Sequence, residues 1–273
     1  MSKPGISLII SFYNKLNYLK LVLAGLEIQS YKLFEVIIAD DGSNETIVKE
    51  LQYIIKNSHL DITHIWHKNI GWRKNEILNK AIKASKSDYL IFIDGDCIPH
   101  SKFIEEHFKN HAVNTVIAGR RVNLSPRVSE LLTSEKIKKG FLEGRLFWLL
   151  LFDSIKGKAR DVENGIYIKS KIIRKLINKK DKGILGSHFS LYKSDILTVN
   201  GFDERYQAPA AGEDTDIEFR LRLAGINVKT LKHIAIQYHM FHKKLTRSEK
   251  NIEILRKVKS KRIFYTPYGI YKS

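Results

Sequence analysis

The first 120 residues alternate between two hydrophobic periods. Residues 6–11 (ISLIIS) form a short apolar run, the signature of a buried strand. Over 17–29, Leu19, Val22, Leu23 and Leu26 recur at helical spacing. The alternation repeats as a strand at 34–39, a helix at 46–55 with Ser43 or Asn44 placed to cap it, a strand at 62–66, a helix at 75–84 and a fourth strand at 89–93. Strands alternating with helices of this length predict βαβ units around a parallel sheet. In such sheets ligands bind beyond the carboxyl ends of the strands. Asp40-Asp41 and Asp94-Gly95-Asp96 both stand at such ends, so the topology brings them to one crevice.

The pattern changes over 125–183, which is Lys-rich around the apolar cluster 141–152 and predicts a helical insertion or flap. Segment 147–152 reads as a core helix on the sheet or as an amphipathic surface that touches a membrane. From Gly186 the regular pattern returns. It predicts a strand at 187–192, a short helix at 193–199, a turn at Asn200-Gly201 and a helix at 214–223 that stops at Gly225. Residues 228–231 and 235–238 predict two short strands. In the tail, 245–261, Ile252, Leu255 and Val258 keep helical spacing among many lysines.

At 273 residues, 43% hydrophobic and 28% charged, the chain is long enough for a full core. The single cysteine, Cys97, excludes an internal disulfide framework and suits a reducing compartment. MSKPG leads directly into the first strand, so no signal peptide is expected. The longest apolar run, 146–152, has seven residues against the roughly 20 needed to span a bilayer. Together these features point to the cytoplasm. The net charge of +18 attracts polyanions such as phosphorylated substrates and anionic lipid. No zinc-finger spacing, aromatic RNA-binding signature or basic region followed by heptads is present, so no specific nucleic-acid partner is expected.

Four groups of residues carry candidate chemistry. Asp40 and Asp41, with Phe12 and Tyr13, offer carboxylates for a base imide or ribose hydroxyl and rings to stack on the base; Asp-Gly-Ser is equally turn chemistry. Asp94 and Asp96, spaced i, i+2, suit a hard divalent cation that in turn holds a diphosphate, and Gly95 permits close approach; the same tripeptide also makes a solvated turn. Glu213, Asp214 and Asp216 open a helix whose dipole relieves part of their repulsion, as a helix start or as a general base with a shifted pKa. His239 and His242, at i, i+3, either flank a turn structurally or complete a metal site with an aspartate.

Taken in order, SLIISFYNK, IIADDGSNET, GWRKNEILNKAI and YLIFIDGDCIP resemble the family-2 glycosyltransferases of the GT-A fold. VNGFDERY, GEDTDIEFRLRLAG and HMFH resemble the galactosyltransferase-type C-terminal region of bacterial polymerising enzymes and animal β-1,4-galactosyltransferases. The resemblance covers about 5–120 and 183–250 and leaves 125–183 unexplained. It implies an α/β, GT-A-type, Rossmann-like domain with a mostly parallel central sheet flanked by helices. Residues 1–120 would be the nucleotide-sugar-binding half, 121–185 the helical insertion, 186–245 the acceptor-binding and catalytic half, and 246–273 a basic helix and tail. The implied activity is metal-dependent, inverting transfer from a nucleotide-diphosphate sugar (a UDP-linked hexose or N-acetylhexosamine, galactose-type favoured). The acceptor would be a glycan or lipid-linked molecule in bacterial surface polysaccharide synthesis, at the inner face of the membrane.

The resemblance also assigns roles. Phe12, Tyr13 and Asp41 would hold the base, with Asp40 also nucleotide-sugar-binding and Arg73 and Asn79 on the nucleotide side. Asp96, and Asp94 through water, would hold Mn2+ or Mg2+ with His242, His239 being the next ligand candidate. Gly95 would admit the diphosphate, and Gly186 and His188 would line the sugar pocket. Asp214 would be the base, Glu213 would orient the acceptor and Asp216 would support them. Three positions depart from the pattern. Leu78 stands where Arg is frequent, His188 where Asn is common, and 207–211 (QAPAA) where the subgroup carries Trp. A sugar-phosphate nucleotidyltransferase is disfavoured because Ser11-Phe12-Tyr13-Asn14-Lys15 contains no glycine. A non-catalytic basic membrane- or nucleic-acid-binding protein is disfavoured by the retained Asp94, Asp96, Glu213 and Asp214.

Overall fold

The computed structural model describes residues 5–178, 182–209, 212–243, 246 and 248–272; Leu245 of the expected tail helix and Ala210 and Ala211 of the 207–211 run lie outside them. The first part follows the expected alternation: β1 (Ile6–Phe12), α1 (Leu16–Glu27), β2 (Phe34–Asp40), α2 (Glu45–Lys56), β3 (Ile62–Trp66), α3 (Lys74–Ala84) and β4 (Tyr89–Asp94). Asn44 is the N-cap of α2, its side chain accepting from the Ile47 N–H. Then come β5 (Cys97–Pro99), α4 (Phe103–Asn110) and β6 (Thr115–Asn123). The described residues of the 125–183 stretch carry helices α5 (Pro126–Leu131), α6 (Ser134–Lys138), α7 (Arg145–Ile155) and α8 (Lys171–Ile177), with single 3-10 turns at Phe141–Glu143 and Val162–Gly165. β7 (His188–Tyr192), α9 (Lys193–Thr198), α10 (Glu213–Leu223), β8 (Asn227–His239) and α11 (Glu249–Ser260) complete the chain.

The eight strands form one sheet in the order β3-β2-β1-β4-β7-β6-β8-β5. Four of the seven pairings are parallel; β4–β7, β6–β7 and β5–β8 are antiparallel. Side chains of β1 alternate between two cores. Leu8 and Ile10 face α1 and the insertion, through Leu19, Val22, Ile137, Leu146 and Leu150. Ile9 faces α3, α9 and α10, through Ile77, Ala81, Ile196, Ile217 and Leu221. The insertion therefore shares the main core, and β6 runs unbroken across the expected boundary at residue 121.

Register puts the candidate residues level. Phe12 pairs with Asp40, and Ser11 with both Ala39 and Asp94. Ile93 pairs with His188, so antiparallel β7 begins at the end where β4 finishes. After Gly95-Asp96 the chain leaves β4 and pairs Cys97 with His239 at the far edge of the curled sheet, which brings the end of β8 back to Asp96. The two short strands expected at 228–231 and 235–238 are one strand with a bulge. Gly119 pairs with Leu231 but Arg120 with Ile236, and His233 in the extra segment has φ 67°.

The structure corrects the reading of His188. It is fully buried beneath the sheet, not lining a sugar pocket. Its Nδ1–H donates to the Arg120 carbonyl (2.9 Å), so its Nε2 accepts from His107 Nε2–H (3.1 Å). His107 Nδ1 must then accept from Ser190 (2.7 Å), whose Oγ accepts from the Tyr89 hydroxyl (2.6 Å). Gly119 makes the room: a Cβ there would lie 1.9 Å from His188 Nε2. Burial pushes both imidazoles down, His107 to about 3 and His188 well below the usual histidine range. Both are thus neutral in the fold and protonated more readily when unfolded. Stability is complete above pH 6.5 and falls as pH drops toward 3, by up to about 1.4 kcal/mol per pH unit for each histidine. A thermal-melt series from pH 7.5 to about pH 4 should show this acid loss reduced in His107→Gln.

Candidate active site

Two clusters meet at the carboxyl end of the parallel strands. The first surrounds Asp96, and among the described residues Asp96, His239 and His242 form one group whose ligand atoms all lie within 4.8 Å. His242 Nε2 is 3.6 Å from Asp96 Oδ2, His239 Nε2 is 3.7 Å from Asp96 Oδ1, and the two imidazole nitrogens are 3.2 Å apart. The Met240 N–H donates to the Asp96 carbonyl, fixing the crossing of β5 and β8 from which all three project. The Lys243 carbonyl accepts from His242 Nδ1–H, which leaves Nε2 as the nitrogen turned into the cluster. Burial pushes the His239 imidazole down to about 3, so that ring is neutral. Burial and the neighbouring Asp94 raise the Asp96 carboxyl. Two imidazole nitrogens and a carboxylate thus converge within reach of one cation, which would replace the hydrogen bond between the two rings.

The second cluster surrounds Lys74, in the first turn of α3. Its ammonium donates to Asp94 Oδ1 at 2.8 Å, and the Ser11 hydroxyl donates to the same oxygen at 2.5 Å. Burial alone would raise the Asp94 carboxyl; Lys74 and Ser11 outweigh it and hold the group near 2. Lys74 also feels Asp214 and Glu213, and these three carboxylates overcome burial to keep its pKa above the usual lysine value. Asp214 accepts from the Gly186 N–H, and only a glycine fits there: a Cβ on Gly186 would lie 1.9 Å from Asp214 Oδ1. Burial raises Asp214 against the pull of Lys74. Burial and then Asp214 raise Glu213 to about 7. Arg121 of β6 lends positive charge to Asp94, Asp96 and Asp214, and donates to Ser187 Oγ at 3.0 Å.

The nucleotide-side expectations divide. Tyr13 is exposed, with Asn69 donating to its hydroxyl, whereas Phe12 is buried in the core and has no free face for stacking. Asp40 is fully buried, accepting from the Ser43 N–H and bonded to His64. Asp41 accepts from the Arg73 N–H at 2.9 Å and from His67 at 2.8 Å, so it shapes the loop before α3. Asn79 is also core: it donates to the Phe202 carbonyl, accepts from the Phe202 N–H and has no surface for a nucleotide. Asp216 points away from Asp214, fully buried between Arg220 (2.7 Å) and the Tyr206 hydroxyl (3.1 Å). Gly95 donates to the Ser11 carbonyl and packs on Phe12; a Cβ there would sit 3.1 Å from that carbonyl oxygen, a tight contact.

The sequence gives no role to Lys74, Arg121 or Ser11. Ser11 and Lys74 lie within quoted motifs, but a lysine in a chain of net charge +18 carries no mark, and Arg121 reaches the site through a strand without a clean period.

The family model for glycosyl transferase family 2 matches residues 7–197, from β1 to α9. That for the N-terminal domain of galactosyltransferase matches 174–243, including α10 and both histidines. The chain is 25% identical over 245 residues to a chondroitin synthase of Escherichia coli, covering 86% of this chain and 34% of that one. It is 23% identical over 232 residues to a poly-beta-1,6-N-acetyl-D-glucosamine synthase of Staphylococcus aureus, covering 82% and 47%. It therefore spans about a third to a half of these relatives. Among solved structures, S. aureus TarS superposes with TM-score 0.58 at 16% identity over 94% of this chain and 39% of that one. Mannosyltransferase PcManGT from Pyrobaculum calidifontis, in complex with GDP-Man and Mn2+, superposes with TM-score 0.55 at 13% identity over 97% and 64%. These likenesses show a shared fold, the GT-A type expected from the sequence. The family-2 match covers well over half of the residues, and the chain belongs to glycosyl transferase family 2.

Proposed function

We propose that this chain transfers a hexose or N-acetylhexosamine from a UDP-type donor to a hydroxyl of a glycan or lipid-linked acceptor, with inversion, in bacterial surface polysaccharide synthesis. The observation that carries the reading is the pairing of a cation-ready triad, Asp96, His239 and His242, with a carboxylate pair, Glu213 and Asp214, across one crevice. The match over 174–243 favours a galactose-type donor. A TarS structure in complex with UDP-GlcNAc, at TM-score 0.57 and 16% identity over 93% of this chain and 65% of that one, supports a nucleotide sugar on this fold.

The triad fits a divalent cation, and its two imidazoles favour manganese over magnesium, whose sites are richer in oxygen. When bound, the cation supplies charge neutralisation for the departing nucleoside diphosphate. The chain's own residues do the rest. Tyr13 offers the exposed ring for the base. Asp214, oriented by the Gly186 N–H, takes the proton from the acceptor hydroxyl, and Glu213 beside it orients that hydroxyl. Lys74 keeps Asp94 ionised and restrains the rise of both catalytic carboxylates.

Donor hydrolysis tests the reading. UDP-sugars should be split slowly in the presence of manganese and not in EDTA; no hydrolysis or transfer with any nucleotide sugar in manganese would sink it. Lys74 has a separate signature. Its ammonium lowers the pKa of the base, so Lys74→Met should move the acid limb of the rate profile to higher pH by about one unit. On that limb the rate should fall by up to about ten-fold and converge on wild type at high pH, as measured by transfer kinetics from pH 5.5 to about pH 9.

A further inference from the structure

We propose that α7 and α8 form a docking face for an anionic lipid bilayer. The face lies outside the transfer site, and its evidence is independent of the proposed activity.

Helix α7 is anchored on one side. Leu146 and Leu150 enter the core, and Asp153 is buried, accepting from the Ser125 hydroxyl. Its other side presents Trp148 (70% exposed), Leu151, Phe152 and Ile155 (81% exposed), the i, i+3, i+4, i+7 positions of one stripe. Helix α8 has no buried residue and exposes Ile172 (75%), Ile173, Leu176 (69%) and Ile177. Eight large apolar side chains are therefore in water on two short helices, more than scattered surface apolars account for.

Charge decides the occupant. Residues 145–177 contain eight cationic and three acidic residues, one of the three being the buried Asp153. Lys156, Lys158, Lys169, Lys171 and Lys175, on the two helices or in the chain between them, are exposed, and Lys156 Nζ sits 4.3 Å above the Phe152 ring. A second copy on this face would set lysine against lysine. A bilayer with anionic headgroups takes the apolar side chains into its acyl boundary and the lysines at its phosphates, with Trp148 at the depth its amphipathic ring favours. The 11-residue α7 lies on such a surface instead of crossing it; among the described residues no helix is long and apolar enough to span.

Flotation with phosphatidylcholine–phosphatidylglycerol vesicles at physiological salt tests this. The full chain should float with anionic vesicles and far less with pure phosphatidylcholine. Trp148→Glu/Ile155→Glu and Ile172→Glu/Leu176→Glu should each weaken binding at least about ten-fold. Lys171→Gln/Lys175→Gln should weaken it several-fold with a shallower salt dependence. All these side chains are exposed, so melting midpoints should match wild type. The proposal is overturned by absence of binding, by binding that both glutamate pairs leave intact (bulk charge alone), or by a dimer in sedimentation that those pairs dissociate. Donor hydrolysis in vesicle-free buffer, unchanged in the glutamate variants, keeps the two readings apart. Flotation without hydrolysis strikes the transferase reading alone, and hydrolysis without flotation strikes the docking face alone.

Discussion

Replacing Asp214 by Asn is expected to lower sugar transfer by about 10³-fold or more while donor affinity changes little. The substitution keeps the shape. Asn Oδ1 still accepts from the Gly186 N–H, and Gly186 still leaves the room that a Cβ would fill. What is lost is the ability to take a proton, so kcat and kcat/KM should fall together, the mark of an interaction made only in the transition state. Burial raises the wild-type carboxyl, which strengthens it as a base but protonates it at low pH; the rate should therefore rise with pH through an acid limb that Asp214→Asn abolishes. Glu213→Gln is the control. If Glu213 orients the acceptor, that variant should raise the acceptor KM about ten-fold and keep most of kcat. Retention of more than about a tenth of the wild-type rate in Asp214→Asn would assign the proton to Glu213, whose carboxyl already sits near 7.

The first half of the fold was legible because three of its four strands are buried on both faces. Every residue of β2 is buried, and so are nearly all of β1 and β4, which gives mostly apolar runs between helices of clear period. The later strands were harder. β6 (TVIAGRRVN) carries a glycine and two arginines because it skirts the site: Gly119 makes way for His188, and Arg121 serves the carboxylates. β5 is three residues long and pairs with a strand 140 positions later, a contact no local pattern announces. The gap between the two strands read in 228–238 was real, but it is a bulge within β8.

Site residues on strand ends and helix starts were legible by position, because topology alone brings Asp94, Asp96 and Asp214 together. Direction was not. Asp214 and Asp216 are two residues apart on α10, so they face about 200° apart, and the one with Arg220 four residues on was claimed by the core. Asn79 and His188 are polar residues that satisfy buried backbone, a duty that a sequence does not distinguish from ligand binding. Lys74 was hidden for the opposite reason, as one lysine among many, and only its three carboxylate neighbours give it meaning.

Asp96→Ala is expected to abolish metal-dependent transfer, by about 10³-fold, and to separate the metal's contribution to stability from its contribution to rate. Asp96 supplies the sole carboxylate of the triad, and its Oδ1 and Oδ2 face different imidazoles. Without a cation its position is unfavourable, since burial and the negative Asp94 both raise its pKa. Removing the carboxylate should therefore leave the metal-free protein as stable as wild type or slightly more so. Manganese at about 100 times its Kd should stabilise wild type by roughly 2.7 kcal/mol and the variant hardly at all. His242→Ala and His239→Ala should differ in kind. His242 is partly exposed and follows the strand, so its loss should weaken manganese and spare the metal-free melt. His239 closes β8 opposite Cys97, so its loss should lower both. Calorimetric melts with and without manganese read all four proteins on one scale. Equal manganese stabilisation of wild type and Asp96→Ala would move the cation to other ligands, because a triad without its only anion has too little charge to hold it.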